Sequence, residues 1–187
     1  MIKEQKIKLD IGCGEFKREG HIGIDLYNYD CVDYVIYIER EKLPFKDSSV
    51  DLIWLDNVLE HITEFSKVIK ELHRVCKNGA TIEIKVPHFS SKSAFFEYHT
   101  RFFCYSSFAM MEKNTDSAYK KKLDIKVVKR YLRFFKKPYL PWNYLIEPLF
   151  NWVCRIDYRL HVLYEETFLR NLFPAFEMYF KIEVIKN

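Results

Sequence analysis

The sequence predicts an α/β fold around a mainly parallel sheet, and three observations carry that expectation. Strand-like and helix-like segments alternate along the chain, without repeats or low-complexity linkers. Val50-Asp51-Leu52-Ile53-Trp54-Leu55-Asp56 is almost continuously apolar, as a strand covered on both faces must be. A short apolar run also ends in Gly12-Cys13-Gly14, a sharp turn that lets backbone approach a ligand where a Cβ would collide. With 187 residues, 49% hydrophobic and 17% aromatic, the chain reads as one globular domain over residues 1–187.

The elements follow in order. Residues 7–11 form the first strand, and residues 21–26 a second that ends in an acid, Asp25. Residues 50–56 form a third. Over residues 63–77, Phe65, Val68, Ile69, Leu72, Val75 and Cys76 fall at i, +3, +4, +7, +10 and +11, one apolar stripe of a helix. Thr63 is placed to cap its start, and Asn78-Gly79 to end it with a left-handed residue. Residues 81–86 alternate strictly, with Ile82, Ile84 and Val86 opposite Thr81, Glu83 and Lys85. Residues 176–184 alternate too, setting Glu177, Lys181 and Glu183 on a polar face. Two strands with one charged face each imply a sheet half-covered on that side.

Residues 138–174 differ. Pro138, Pro141, Pro148 and Pro174 punctuate a stretch in which Trp142, Leu145, Leu149, Trp152, Ile156, Leu160 and Leu163 recur every three or four residues. This reads as a helical insertion before the last strand, serving as core or dimer contact, with a peripheral membrane foot as the alternative. Segment 120–137 carries nine Lys/Arg against one acid, while the rest of the chain holds 21 basic and 25 acidic residues. An edge strand guarded by lysines is the favoured reading of this segment. Attraction for nucleic acid, anionic lipid or a phosphorylated glycan precursor is the alternative.

Five dispersed cysteines with no C-x-x-C pair suit reduced thiols in a cytoplasmic protein, not a disulfide framework or zinc site. The charged N-terminal residues do not resemble a signal peptide, and no uncharged run approaches the ~18 residues of a membrane span. The chain therefore reads as soluble.

The chemistry concentrates near the N-terminus, in Leu9-Asp10-Ile11-Gly12-Cys13-Gly14 followed by Gly23-Ile24-Asp25-Leu26. An acid at the end of the second strand can accept hydrogen bonds from both hydroxyls of a ribose. Further along stand Leu43-Pro44-Phe45-Lys46-Asp47-Ser48-Ser49-Val50-Asp51, Leu59-Glu60-His61-Ile62 and Glu71-Leu72-His73-Arg74-Val75. In this order the motifs resemble the class I S-adenosylmethionine-dependent methyltransferases, in the branch marked by a D-x-G-C-G turn and an L-E-H-I helix start. The resemblance covers residues 7–89 and thins beyond them. It implies a Rossmann-like, seven-stranded, mostly parallel sheet with an antiparallel last strand. Residues 1–89 would be the cofactor-binding half and residues 90–187 the acceptor-side half.

Carried over residue by residue, the resemblance implies that Asp10 lies near the methionine ammonium and that Gly12, Cys13 and Gly14 line the cofactor with backbone. Asp25 would hold the ribose, Leu26 flank the adenine, and Asn57 lie near the methionyl group. Two departures stand out. Only ten residues separate Gly14 from Asp25, leaving room for a first helix of one or two turns, and Tyr37 falls where many relatives carry an adenine-binding acid.

On the acceptor side the chain reads Val86-Pro87-His88-Phe89 and then Glu97-Tyr98-His99-Thr100-Arg101, and relatives carry a similar P-H then H-x-R pattern. Histidine suits proton removal near neutral pH. His88 is the first candidate base and His99 the second, with Tyr98 and Arg101 shaping the acceptor pocket. A satisfied loop histidine is the structural alternative for either. The acceptor expected from the resemblance is a small molecule or a glycan- or lipid-linked precursor. A nucleic acid methyltransferase is a rival, disfavoured by the absence of an N/D-P-P-Y/F tetrapeptide and by a net charge of only +4. A module that holds the cofactor without catalysis is the rival from another class.

Overall fold

A computed structural model describes residues 6–112, 124–134, 145 and 147–186. The strands are β1 (Lys8–Ile11), β2 (Ile22–Asp25), β3 (Tyr34–Val35), β4 (Val50–Asp56), β5 (Cys76–Pro87), β6 (Ile125–Arg133) and β7 (Glu177–Val184). The helices are α1 (Phe65–Val75), α2 (Glu147–Ile156), α3 (Tyr158–Glu166) and α4 (Leu169–Leu172). All seven strands join one sheet in the order β3-β2-β1-β4-β5-β7-β6. Only β7 runs against its neighbours.

The buried face follows from the alternation. Ile53 and Leu55 of β4, Ile82 and Ile84 of β5, and Phe180 and Ile182 of β7 share one core with Val68, Leu72 and Val75 of α1. On the other face the register sets Glu83 opposite Lys181, and Lys85 opposite Tyr179. Lys181 reaches Glu83 at 3.6 Å, while Lys85 reaches Glu177 at 3.8 Å and Asp56 at 2.9 Å. Glu83, Lys85, Tyr179 and Lys181 are only half-buried, as the charged alternation requires.

Three local expectations are corrected. Residues 12–21 form turns with no helix, because Gly12 N and Cys13 N bond back to Ile24 O and Asp10 accepts from Arg18 N. Thr63 does not cap α1: the N-cap is Glu64, without a side-chain cap bond, and Glu39 Oε2 accepts from its amide at 2.5 Å. At the other end β5 begins at Cys76, directly after α1. Gly79, at φ +77°, then sits within the strand, between the Val50–Cys76 and Leu52–Thr81 pairs where the register shifts.

The Leu43–Asp51 motif is held by Arg74. Its guanidinium bonds to Glu71 on the same helix, to Asp47 at 2.5 Å, and to the carbonyls of Phe45 and Leu43. Glu71 in turn accepts from Leu43 N at 2.7 Å. These matched residues thus clamp the loop before β4 onto α1, away from the chemistry.

The expected stripe on the insertion does not face the core. Leu145, Leu149, Trp152, Ile156 and Leu163 are exposed, and α2 buries Asn151 and Cys154 instead. Asn151 accepts from Leu132 N and donates to Leu132 O, both at 2.8 Å, along the outer edge of β6. Glu112 and Glu147 accept from Val127 N and Phe134 N on that same strand end to end. Strand β6, from the basic segment, is therefore a true sheet edge. Pro138, Pro141, Trp142 and residues 120–123 and 135–137 lie outside the described residues.

Candidate functional site

Two cavities open at the carboxyl ends of the central strands and share Gly12, Asn57 and His61 in their walls. The first, of about 410 Å³, is bounded by Gly14, Asp25, Leu26 and Tyr37. The glycine turn forms one wall of it. Gly12 holds φ +68°, and a Cβ there would run into Val58. Asp25 accepts from Gly14 N at 2.8 Å and from Tyr27 N at 2.9 Å, which fixes the carboxylate at the strand end. Each oxygen retains a lone pair for a hydroxyl donor. Leu26 is half exposed at the rim, and Asn57 adopts φ +55° just past β4.

Glu39 is a residue that sequence reasoning missed. It stands two positions after Tyr37 in the same wall, nearly buried, with the Tyr37 hydroxyl 3.5 Å from Oε1. Its other oxygen holds the start of α1, so it joins this wall of the cavity to that helix. The sequence signal was an acid two residues beyond the position that Tyr37 occupies.

The second cavity is about 990 Å³, and long side chains build it. Asp10 and Cys13 lie in its wall and not in that of the first cavity, so of the predicted cofactor residues these two stand on the seam side. Burial raises the Asp10 carboxyl, and burial followed by the Asp10 charge pushes the Cys13 thiol up to about 12. Arg18 lies over Trp54, 3.7 Å from the ring centroid, and Lys92 stands at the rim. Below them Lys85, Asp56, Glu177 and Arg133 form a chain of ion pairs.

Three side chains converge where the two cavities meet. Glu60, His61 and His99 each offer a donor atom, and these atoms lie within 4.8 Å of one another. The imidazoles meet edge to face at 4.6 Å. Glu60 is 1% exposed, and burial pushes its carboxyl up to about 7. Burial, then the neighbouring His61, lowers the His99 imidazole. Glu60 and His61 were quoted in the sequence only as a family motif; their meeting with His99 depends on a loop nearly forty residues away.

The remaining predicted residues lie elsewhere. His88 is fully buried and lines neither cavity. Its Nε2 meets Glu165 at 3.0 Å and its Nδ1 meets Ser90, so both nitrogens are spent on holding the loop after β5 against α3. A base must reach the proton it removes, and the first candidate base is corrected to a structural residue. Arg101 points into the fold, donating to the carbonyls of Ile62 and Thr63 at 2.7 and 2.6 Å. Tyr98 turns its ring to solvent, while its carbonyl lies 3.3 Å from His61 Nδ1. Neither Tyr98 nor Arg101 lines the pocket that it was expected to shape.

Comparison with known proteins agrees with this geometry. Residues 9–84 match the family model described as a methyltransferase domain. A malonyl-[acyl-carrier protein] O-methyltransferase of Buchnera aphidicola is 36% identical over 55 residues, which is 29% of this chain and 22% of that relative. The whole chain superposes on the YcgJ protein of Bacillus subtilis with a TM-score of 0.56 at 15% identity, covering 98% of this chain and 94% of that one. An S-adenosylmethionine-dependent methyltransferase of Archaeoglobus fulgidus gives 0.56 at 17% identity, with 97% and 87% covered. Phosphoethanolamine N-methyltransferase 2 of Haemonchus contortus, solved with S-adenosylmethionine, gives 0.53 at 16%, with 100% and 50% covered. These structural likenesses are likenesses of fold. With the match over residues 9–84, they define a Rossmann-like methyltransferase fold. Residues 9–84 are thus similar to a methyltransferase domain, and the chain as a whole shares the fold of S-adenosylmethionine-dependent methyltransferases.

No described helix is long and apolar enough to cross a membrane.

Proposed function

We propose that the protein transfers the methyl group of S-adenosylmethionine to a small acceptor, free or as the head of a glycan- or lipid-linked precursor, that carries an acidic group. The observation that carries this reading is the seam: a cofactor-sized cavity opens at Gly12, Asn57 and His61 onto a larger one with its own polar walls. S-adenosylmethionine supplies a methyl already activated on a sulfonium. The protein's task is then to align a nucleophile and exclude water, which is a matter of positioning.

The roles follow from placement. Gly12 and Gly14 bring backbone close to the cofactor, and Asp25 takes the ribose hydroxyls. Leu26 and Tyr37 flank the adenine, and Asn57 stands at the methionyl end. Asp10 and Cys13 support the turn from the acceptor side. Among the described residues Arg18 and Lys92 form no ion pair with a carboxylate, which favours an acceptor bearing phosphate or carboxylate. The Glu60–His61–His99 group stands where the acceptor's proton must leave.

The test is release of S-adenosylhomocysteine from a panel of phosphorylated sugars, small carboxylates and lipid-linked precursors. Turnover that prefers the acidic members over their neutral analogues supports the reading. A chain that binds S-adenosylmethionine tightly yet methylates nothing in the panel would favour the cofactor-holding module instead.

A further inference from the structure

We propose that Glu60, His61 and His99 bind one divalent transition metal ion, of the Zn²⁺ class, at the seam between the two cavities. Both carboxylate oxygens of Glu60 are buried without a hydrogen-bond partner, and so is Nδ1 of His99. Buried polar atoms are almost always paired, because leaving one unpaired costs about 1–3 kcal/mol and more for a charged group. Unpartnered atoms on two side chains that stand beside a third ligand-bearing side chain call for a common partner. That partner must be an acceptor of lone pairs, since a carboxylate and a bare imidazole nitrogen both offer them.

The donor set selects the ion. Two imidazoles and one carboxylate suit Zn²⁺, Fe²⁺, Co²⁺ or Ni²⁺ better than Mg²⁺ or Ca²⁺, which prefer all-oxygen shells. In a tetrahedral zinc site, donors about 2.1 Å from the metal stand about 3.4 Å from one another. The observed atoms lie within 4.8 Å of one another, so closing on an ion would draw them together by up to about 1.4 Å.

The frame is already braced. Glu60 O accepts from Thr100 N at 2.8 Å and from Arg101 N at 3.3 Å, which pins the residues around His99 to the turn that carries Glu60 and His61. Arg101 fastens the same segment to Ile62 and Thr63. The Tyr98 carbonyl beside His61 Nδ1 favours a proton there and leaves the Nε2 lone pair for a metal. Tyr98 and Arg101 thus gain a role as outer supports of the cluster.

Three protein ligands leave a coordination position open, as catalytic rather than structural sites do. The open side faces the larger cavity, whose wall holds all three residues. Resting on the acceptor reading above, the ion would seat an oxygen of the acceptor there and ease loss of its proton.

The probe is Co²⁺, titrated into the full chain after treatment with a chelator and followed by visible absorption. One Co²⁺ per chain, displaced by Zn²⁺, is the expected result. Glu60→Gln, His61→Ala and His99→Ala should each weaken uptake by about 100-fold or more, while Glu97→Gln, on the exposed surface nearby, leaves it unchanged. Thermal denaturation of the same samples shows that each variant is folded, and calorimetry with S-adenosylhomocysteine on the unsubstituted chain reports the neighbouring cavity, which His61 also lines. A chain that binds S-adenosylhomocysteine but takes up no Co²⁺ overturns the proposal, as does uptake indifferent to all three substitutions. Loss of S-adenosylhomocysteine binding in the unsubstituted chain would sink the functional reading instead, and the Co²⁺ titration would still decide the site.

Discussion

The smaller cavity closes on a glycine turn and a strand-end carboxylate, while the larger one beside it is walled by long side chains from several distant stretches. A glycine at φ +68°, a strand-end carboxylate fixed by two amides and a turn folded onto Ile24 define the first. The second depends on Arg18 lying on Trp54, on ion pairs spanning β4, β5 and β7, and on His99 returning to His61. Backbone shape is dictated by a few residue types at fixed spacing. Side-chain walls depend instead on residues brought together from distant parts of the chain.

Changes at the shared seam should have the largest effect. Gly12→Val places a branched side chain at positive φ and against Val58, at a cost of about 4 kcal/mol from backbone strain and overpacking together. Chemical denaturation should show that loss, with S-adenosylhomocysteine binding abolished. A stable, ligand-binding variant would mean that main chain does not shape this rim.

Asp25→Ala should weaken S-adenosylhomocysteine by ~2–3 kcal/mol in calorimetry, the range for bonds to a charged group. An unchanged affinity in a folded variant would remove the carboxylate from the cofactor site.

The two histidines of the acceptor half should behave in opposite ways. His88→Ala should cost about 2 kcal/mol of stability by stripping Glu165 of a buried partner, with turnover per folded molecule preserved. His99→Ala should lower turnover about 10²-fold with the melting temperature little changed. Reversed outcomes would restore His88 as the base and dissolve the contrast between core and cavity.

The smallest change lies outside both cavities. Glu83→Gln breaks the half-exposed pair with Lys181 and should cost about 0.5 kcal/mol in denaturation, with neither ligand affected. A loss several times larger would mean that the polar face of the sheet carries more of the stability than its exposure suggests.

Much of this arrangement was legible beforehand, and the reasons differ by region. Strands β4, β5 and β7 declared themselves because alternation and continuous apolar runs report burial directly. The turn at Gly12 and the acid at Asp25 were legible because few residues tolerate that geometry. His88 was not, since a histidine reads the same in sequence whether its nitrogens meet Glu165 in the core or an acceptor in a cavity. The stripe from Leu145 to Leu163 misled for a related reason. Helical spacing reports that an apolar face exists, but not that this chain covers it. The Glu60–His99 meeting is a product of loop closure, which local pattern does not encode.

One amide also sets the limit of the sheet. Asn151 offers Leu132 the donor and acceptor that a neighbouring strand would have offered, while Lys126, Lys129 and Arg130 crowd the same border with charge. An open border of this length is an invitation to fibril growth or strand exchange between molecules. Here the insertion supplies a stopper: α2 lends the border a counterfeit eighth strand one residue wide, and self-templating ends where the side chain begins.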